Sequence, residues 1–113
     1  MVPPLRGGLT SMLDARRDPD SAVPDEALAA CARDGARRAF AVLVTRHWGR
    51  VYRLALRMSR NVSDAEDIAQ EAFLLAHRGI GSFHGESRFR TWLHRIVVNQ
   101  ALMQRRAART RPW

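Results

Sequence analysis

The sequence predicts an all-α protein, a compact bundle of three to four helices behind a flexible N-terminal leader. From residue 24 onward, apolar residues recur at spacings of three and four, which places them on one face of each helix. No stretch alternates between apolar and polar residues as a half-buried strand would. A length of 113 residues with 46% hydrophobic residues fits one domain around a single core.

Residues 1–23 are the predicted leader, because prolines, glycines and charges occur there without an apolar period. A short first helix follows Pro24, with Asp25 as the expected N-cap, and it ends near Gly35. Cys31 lies in the Ala-rich part of this helix, where we expect a small thiol that is buried or half-buried. It is the one cysteine in the sequence, which excludes an internal disulfide.

A long second helix is predicted over residues 36–59, because its apolar residues share one face. These are Phe40, Val44, His47, Val51, Leu54 and Met58. His47 lies on that face with no second potential metal ligand near it in sequence. We therefore interpret it as a core or boundary histidine with a hydrogen-bond partner.

The third helix begins at a capping box, Ser63 to Glu66, in which each side chain satisfies the other residue's backbone N–H. Its predicted inward face comprises Ala65, Ile68, Ala69, Ala72, Leu75 and Ala76. Its predicted outward residues are Asp67, Gln70 and Leu74, with Glu71 and Phe73 at the margins. Gly79 and Gly81 end the helix. Dipole-compatible acids near the N-terminus explain part of this pattern, and the outward mixture of apolar and polar groups favours a docking surface.

Residues 81–87 have the composition of a loop, and a fourth helix is predicted from about Arg88 to Ala107. Its inward residues are Phe89, Leu93, Ile96, Val97 and Ala101. The opposite stripe carries Arg88, Thr91, Arg95, Asn99 and Arg106, with Trp92 beside it. Guanidinium groups, an amide and an indole together suit single-stranded nucleic acid. An amphipathic helix with a solvated basic side and Trp92 in the core explains the same pattern equally well.

The net charge of +8 comes from 19 basic residues, all arginine, against 11 acidic ones. The excess favours a polyanionic partner, since arginine forks match phosphates and guanine edges. The charge is also divided along the chain. Residues 61–71 carry four acids and no arginine, whereas residues 87–113 carry seven arginines and no acid. This asymmetry favours two partners of opposite charge.

Other classes of protein are disfavoured by what the sequence lacks. No apolar stretch approaches a membrane span and no signal peptide is evident, so we expect a cytoplasmic protein without a membrane partner. No nucleophile signature, phosphate-binding glycine loop or metal-ligand cluster is present, so we expect neither an enzyme nor a cofactor.

Two stretches of sequence resemble known motifs. Residues 64–73, DAEDIAQEAF, resemble the segment of bacterial sigma factors that grips the clamp helices of the RNA polymerase β′ subunit. Residues 83–99, FHGESRFRTWLHRIVVN, resemble the loop and helix that recognise and melt the −10 promoter element in the extracytoplasmic-function (ECF) group. The order and spacing match, and the resemblance covers roughly residues 24–106. The sequence therefore resembles region 2 of an ECF sigma factor.

The resemblance implies two sets of site residues. Contacts to the β′ clamp would come from Asp64, Asp67, Gln70, Glu71, Phe73 and Leu74. Contacts to the −10 element would come from Phe83, His84, Gly85, Glu86, Ser87, Arg88, Arg90, Trp92, Arg95, Asn99 and Arg106. The loop over residues 83–87 would capture a base rotated out of the stack, and Asn99 would help define its pocket. Arg88, Arg90, Arg105, Arg106 and Arg109 would contact phosphates.

The resemblance implies a region 2 domain over residues 24–108, followed by a basic tail or the start of a linker at 109–113. The helix-turn-helix domain that normally follows in the family, region 4, is absent from this sequence. We predict docking on core RNA polymerase through β′ and recognition of the single-stranded nontemplate −10 element. An alternative is an interaction-only module that occupies the clamp or an anti-sigma factor without promoter selection. A generic basic helical binder of RNA or DNA is a third hypothesis.

Overall fold

The computed structural model describes residues 23–110, and this part of the chain contains four α-helices. They are α1 (Asp25–Arg33), α2 (Arg37–Met58), α3 (Val62–Gly79) and α4 (Phe89–Thr110), with a 3-10 turn (Ile80–Ser82) after α3. No strand occurs within this described range. The prediction of an all-α bundle is therefore confirmed. Most of the predicted leader, residues 1–22, and the end of the predicted tail, residues 111–113, lie outside the described residues.

Two helix starts differ from the sequence prediction. The N-cap of α1 is Pro24, and Asp25 is the first helical residue. The carboxylate of Asp25 accepts hydrogen bonds from Arg46 and His47 of α2, each at 2.8 Å, and so serves tertiary packing. The N-cap of α3 is Asn61, whose side-chain oxygen accepts a hydrogen bond from the backbone N–H of Asp64 at 2.8 Å. The predicted capping box at Ser63 is therefore wrong, because an amide two residues earlier takes that function.

The core lies where α2, α3 and α4 meet, and α1 covers one side of α2. Its largest fully buried side chains are Leu43, Val51, Ile68, Phe89, Leu93 and Val97. On α3 the buried residues include four alanines with no exposed surface, namely Ala65, Ala69, Ala72 and Ala76. Small side chains on this face let the α3 backbone approach its neighbours closely. The predicted inward faces of α3 and α4 are confirmed, except that Leu75 and Ile96 are half-buried.

His47 is buried and has hydrogen-bond partners on both ring nitrogens, as predicted for a core histidine. Its Nε2 lies 2.8 Å from Asp25, and its Nδ1 lies 3.0 Å from Nη2 of Arg50. Cys31 is exposed, which corrects the prediction of a buried or half-buried thiol. The reason is helical phase, since α1 buries Leu28, Ala29 and Ala32 and thereby turns Cys31 outward.

None of the four helices in the described range is long and apolar enough to span a membrane.

Candidate nucleic-acid interface and docking surface

The loop between the 3-10 turn and α4 has a defined backbone. The N–H of Phe83 donates to the carbonyl of Ile80 at 3.1 Å, and Gly85 adopts a φ of +84°, in the region that favours glycine. The Glu86 carboxylate accepts a hydrogen bond from the backbone N–H of His84 at 3.0 Å. Backbone N–H groups of Glu86 itself and of His84 lower the pKa of this carboxyl. The conformation of the loop is thus set by a glycine and a carboxylate.

Within this loop, His84, Gly85 and Glu86 are exposed and Ser87 is half-buried. Phe83 is different, because only 3% of it is exposed. Its ring contacts those of Phe89 and Trp92, with centroid separations of 6.0 Å and 5.0 Å. The assignment of Phe83 as a direct DNA contact is therefore corrected, since its ring anchors the loop in the core. The Glu86 side chain is anionic and would repel a phosphate. Its carboxylate stabilises the turn through the hydrogen bond from the His84 N–H, so its role in the loop is structural.

The sequence left two alternatives for Trp92, a core residue or a nucleic-acid contact. In the structure it is half-buried, which fits neither alternative fully. Its indole lies on Phe83 and Phe89, and it passes close to Gly79, where an added Cβ would lie 3.5 Å from the ring. One part of the indole thus completes an aromatic cluster, and the remainder is accessible beside Arg88 and Arg95 on the helix surface. Trp92 therefore supports the loop and leaves part of its indole accessible.

The predicted polar stripe on α4 is exposed. Its members are Arg88 at the head of the helix, then Thr91, Arg95, Asn99 and Arg106. They lie opposite Phe89, Leu93, Val97 and Ala101, which are buried. The guanidinium groups and the Asn99 amide are thus free to reach a ligand along about five turns of helix. Arg90 is exposed too, but it lies on another side of α4.

Helix α1 forms hydrogen bonds at both ends of the loop that precedes α4. The sequence analysis did not predict these two contacts. The Glu26 carboxylate accepts a hydrogen bond from the backbone N–H of Phe89, the first residue of α4, at 3.0 Å. Arg33 Nη1 donates to the carbonyl of Phe83 at 3.1 Å. These contacts span 63 and 50 residues of sequence, so no local pattern predicts them. They fix the loop and the α4 N-terminus to the same rigid element.

The predicted docking surface on α3 is mostly accessible. Asp67, Gln70 and Leu74 are exposed, and Leu74 retains 49% of its surface. Asp64 and Glu71 are half-buried.

Phe73 is the exception on α3, because only 6% of it is exposed. Its ring stacks on Trp48 of α2 with centroids 5.8 Å apart. The sequence placed Phe73 at the margin of the helix, and packing against the indole draws it inward. The ring of Phe73 thus contributes to the core, and its contact with the β′ clamp stays a prediction.

A groove of about 960 Å³ opens where the end of α2, the start of α3 and the second half of α4 meet. Its lining includes Arg57, Arg60, Asp64, Asp67, Met103 and Arg105. Acidic and basic groups therefore adjoin at this end of the molecule. Among the described residues, no group of three or more His, Cys, Asp or Glu side chains could hold a metal ion. These surfaces carry charged, amide and apolar side chains.

Comparison with known proteins agrees with this geometry. The sigma-70 region 2 family model matches residues 43–111. The chain is 47% identical over 78 residues to the ECF RNA polymerase sigma factor SigM of Mycobacterium tuberculosis, covering 69% of this chain and 40% of that protein. It is 42% identical over 77 residues to the ECF RNA polymerase sigma-E factor of Escherichia coli (strain K12), covering 68% and 40%. The chain thus spans about 40% of the length of these relatives.

Two solved structures share the fold. One is an engineered region 2 of sigma-E in complex with GTAAAA, with a TM-score of 0.70 and 36% identity over 75% of this chain and 88% of that one. The other is CnrH in complex with the cytosolic domain of CnrY, with a TM-score of 0.64 and 35% identity over 68% and 50%. The chain belongs to the sigma-70 region 2 family, as a region 2 domain of the ECF sigma factor type.

Proposed function

We propose that this chain acts in transcription initiation, docking on the β′ clamp helices of core RNA polymerase and recognising and melting the −10 promoter element. The observation that carries the proposal is the exposure of two different sets of side chains on two helices. On α3, Asp67, Gln70 and Leu74 offer a carboxylate, an amide and an apolar group. On α4, Arg95 and Asn99 offer a guanidinium group and an amide.

The α4 surface suits an unpaired strand. Arginines neutralise phosphates, and an amide can hydrogen-bond a base edge that duplex DNA would hide. The loop over residues 83–87 is fixed before any ligand binds, which lowers the entropy cost of ordering it around an extruded base. The relative that binds GTAAAA, with 36% identity, supports placing a single-stranded ligand here.

The α3 surface suits a protein. Leu74 is a large apolar side chain that remains 49% exposed, flanked by a carboxylate and an amide. An apolar contact with a polar rim is the usual composition of a protein interface. Basic residues of a partner helix would meet Asp67 and the half-buried Glu71.

A second candidate function is favoured by the similarity to CnrH, whose structure contains the cytosolic domain of CnrY. In this alternative the chain occupies the polymerase clamp or binds an anti-sigma factor without selecting a promoter. It predicts protein binding in the absence of a preference among oligonucleotides.

The test uses the full chain in two assays. Fluorescence anisotropy measures binding of labelled GTAAAA and of a panel of hexanucleotides that differ from it at each position. Capture on immobilised core polymerase measures docking. We expect a preference of at least about tenfold within the panel, as a single base readout supplies, together with capture by core polymerase. If core polymerase captures the chain but the chain binds all hexanucleotides with equal affinity, the interaction-only alternative is supported.

A further inference from the structure

We propose that α2 carries a second nucleic-acid contact, an arginine ridge that binds the phosphate backbone of DNA outside the −10 loop. The ridge comprises Arg50, Arg53 and Arg57 on α2 and Arg60 just beyond its end. The inference rests on the proposed function, because it extends the path of the same DNA. The residues assigned to DNA above all lie in the loop or on α4, so the ridge adds a surface.

Spacing places these arginines on one side of the helix. Arg50, Arg53 and Arg57 are separated by three and four residues and therefore lie above one another. From Arg50 to Arg57 the axis rises about 10 Å, at 1.5 Å per residue. Arg53 and Arg57 are exposed and Arg50 is half-buried.

The same face of α2 is covered further toward its N-terminus. Ala39 and Val42 are buried there, where α1 packs on α2. Arg46 follows on this face and is paired with Asp25 of α1 at 2.8 Å. Beyond Arg46, where α1 no longer covers the helix, the face continues as the ridge.

The ridge arginines form no ion pair within the described part of the chain, although Asp64 and Asp67 line the same groove as Arg57 and Arg60. Ion pairs there within 4.0 Å involve Arg33, Arg46 and His47, and none involves the ridge. Instead, arginines of α4 adjoin both ends. Arg105 shares the groove with Arg57 and Arg60. At the other end, burial lowers the pKa of the Arg50 guanidinium, and the nearby positive charge of Arg90 lowers it further. Arg50 is held by its hydrogen bond to His47. Arg53, Arg57 and Arg60 form no ion pair within the described residues, and a stability role does not explain their like charges.

The charge and shape of the ridge fit a phosphodiester backbone. Arginine forks bind phosphate in bidentate geometry, and a row of positive charges along a helix can contact more than one phosphate of a strand. Arg90 and Arg105 lie on the side of α4 that faces the ridge, away from Arg95 and Asn99. The ridge therefore meets DNA beside the segment that the −10 loop reads, where sequence-independent contact is expected.

The test compares two double variants with the same loss of charge on the same helix. Arg53→Gln/Arg57→Gln removes two ridge charges, and Arg37→Gln/Arg38→Gln removes two exposed arginines at the other end of α2. Each full-length variant is titrated with two probes, the hexanucleotide GTAAAA and an extended probe in which GTAAAA is joined to a duplex of about 12 base pairs, roughly one helical turn. Titrations at several salt concentrations give the slope of log K against log salt.

For the ridge variant we expect unchanged hexanucleotide binding, a roughly tenfold loss on the extended probe, and a slope smaller by about 1.8, or about 0.9 for each lost phosphate contact. The Arg37/Arg38 variant should bind both probes like the parent chain. Equal behaviour of the two variants on the extended probe would overturn the proposal. So would a ridge variant that keeps DNA binding but loses core polymerase, since the ridge would then bind protein. If the parent shows no hexanucleotide preference while the ridge effect persists, the proposed function fails and the ridge stands.

Discussion

The carboxylate of Glu26 accepts a hydrogen bond from the backbone N–H of Phe89 at 3.0 Å, joining the first turn of α1 to the first residue of α4. The first N–H groups of a helix have no partner within that helix, so a side chain from another element acts here as a cap. Because Phe89 lies two residues after the predicted DNA-reading loop over residues 83–87, this bond links a distant carboxylate to the position of that loop.

We therefore predict that Glu26→Ala weakens binding of the preferred hexanucleotide about fivefold, the equivalent of about 1 kcal/mol for the loss of a cap. Glu26→Gln retains an acceptor oxygen and should recover most of the affinity. Glu66→Ala, which removes the same charge from an exposed position on α3, is the control. Fluorescence anisotropy measures all three variants. Equal affinities for Glu26→Ala and the parent chain would show that the bond does not position the loop.

Asp25 predicts a dependence of stability on pH. Burial by itself would raise the pKa of this carboxyl, but hydrogen bonds from His47 and Arg46 outweigh burial and lower the pKa. A carboxyl with a lowered folded-state pKa stabilises the fold above its unfolded pKa, and this stabilisation is lost as pH falls through the folded-state value. We expect Asp25→Asn to be about 1–3 kcal/mol less stable at pH 7, with the difference shrinking below about pH 4. Urea denaturation at both pH values measures this, and a difference independent of pH would contradict it.

Gly85 predicts a requirement for a left-handed backbone in the loop. With a φ of +84°, this residue adopts a conformation that costs any residue with a Cβ about 1–2 kcal/mol. Gly85→Ala should therefore shift the loop, weaken hexanucleotide binding several-fold and lower the thermal unfolding temperature by several degrees. Gly81→Ala is the matched control, because Gly81 has no positive φ and no atom within 4 Å of an added Cβ. Similar binding by the two variants would count against a fixed loop.

Trp92 and Asn99 should behave differently although both were assigned to DNA. Trp92 packs on Phe83 and Phe89, so Trp92→Ala should lower stability by about 2–4 kcal/mol as well as weaken oligonucleotide binding. Asn99 is exposed, so Asn99→Ala should weaken binding about tenfold without changing stability by more than about 0.5 kcal/mol. Thermal unfolding beside anisotropy separates the effects. A large loss of stability in Asn99→Ala would place its amide in the fold and not in a binding surface.

Periodicity predicted the helices and their inward faces because a packed helix must bury one stripe. Phe89, Leu93, Val97 and Ala101 follow that stripe and are buried. Contacts between distant segments escaped prediction. Nothing near Glu26 in sequence indicates Phe89, and nothing near Phe83 shows that its ring would close a cluster with Trp92.

The start of α3 and the arginine ridge were not predicted from the sequence, for a different reason. Asn61 and Ser63 are both good N-caps, and sequence alone did not decide between them. The arginines of α2 occur among apolar residues, so the ridge is recognisable only once the cover of α1 and the neighbouring arginines of α4 are located in space.

Separate surfaces on α3 and α4 are the central claim, and a crossed comparison of two exposed residues tests it most directly. Leu74→Arg and Asn99→Ala are each assayed for capture by core polymerase and for binding of the preferred hexanucleotide. We predict that Leu74→Arg abolishes capture and leaves oligonucleotide affinity within about twofold, while Asn99→Ala lowers oligonucleotide affinity about tenfold and leaves capture intact. Parallel losses of both activities in each variant, with both proteins folded, would contradict the claim.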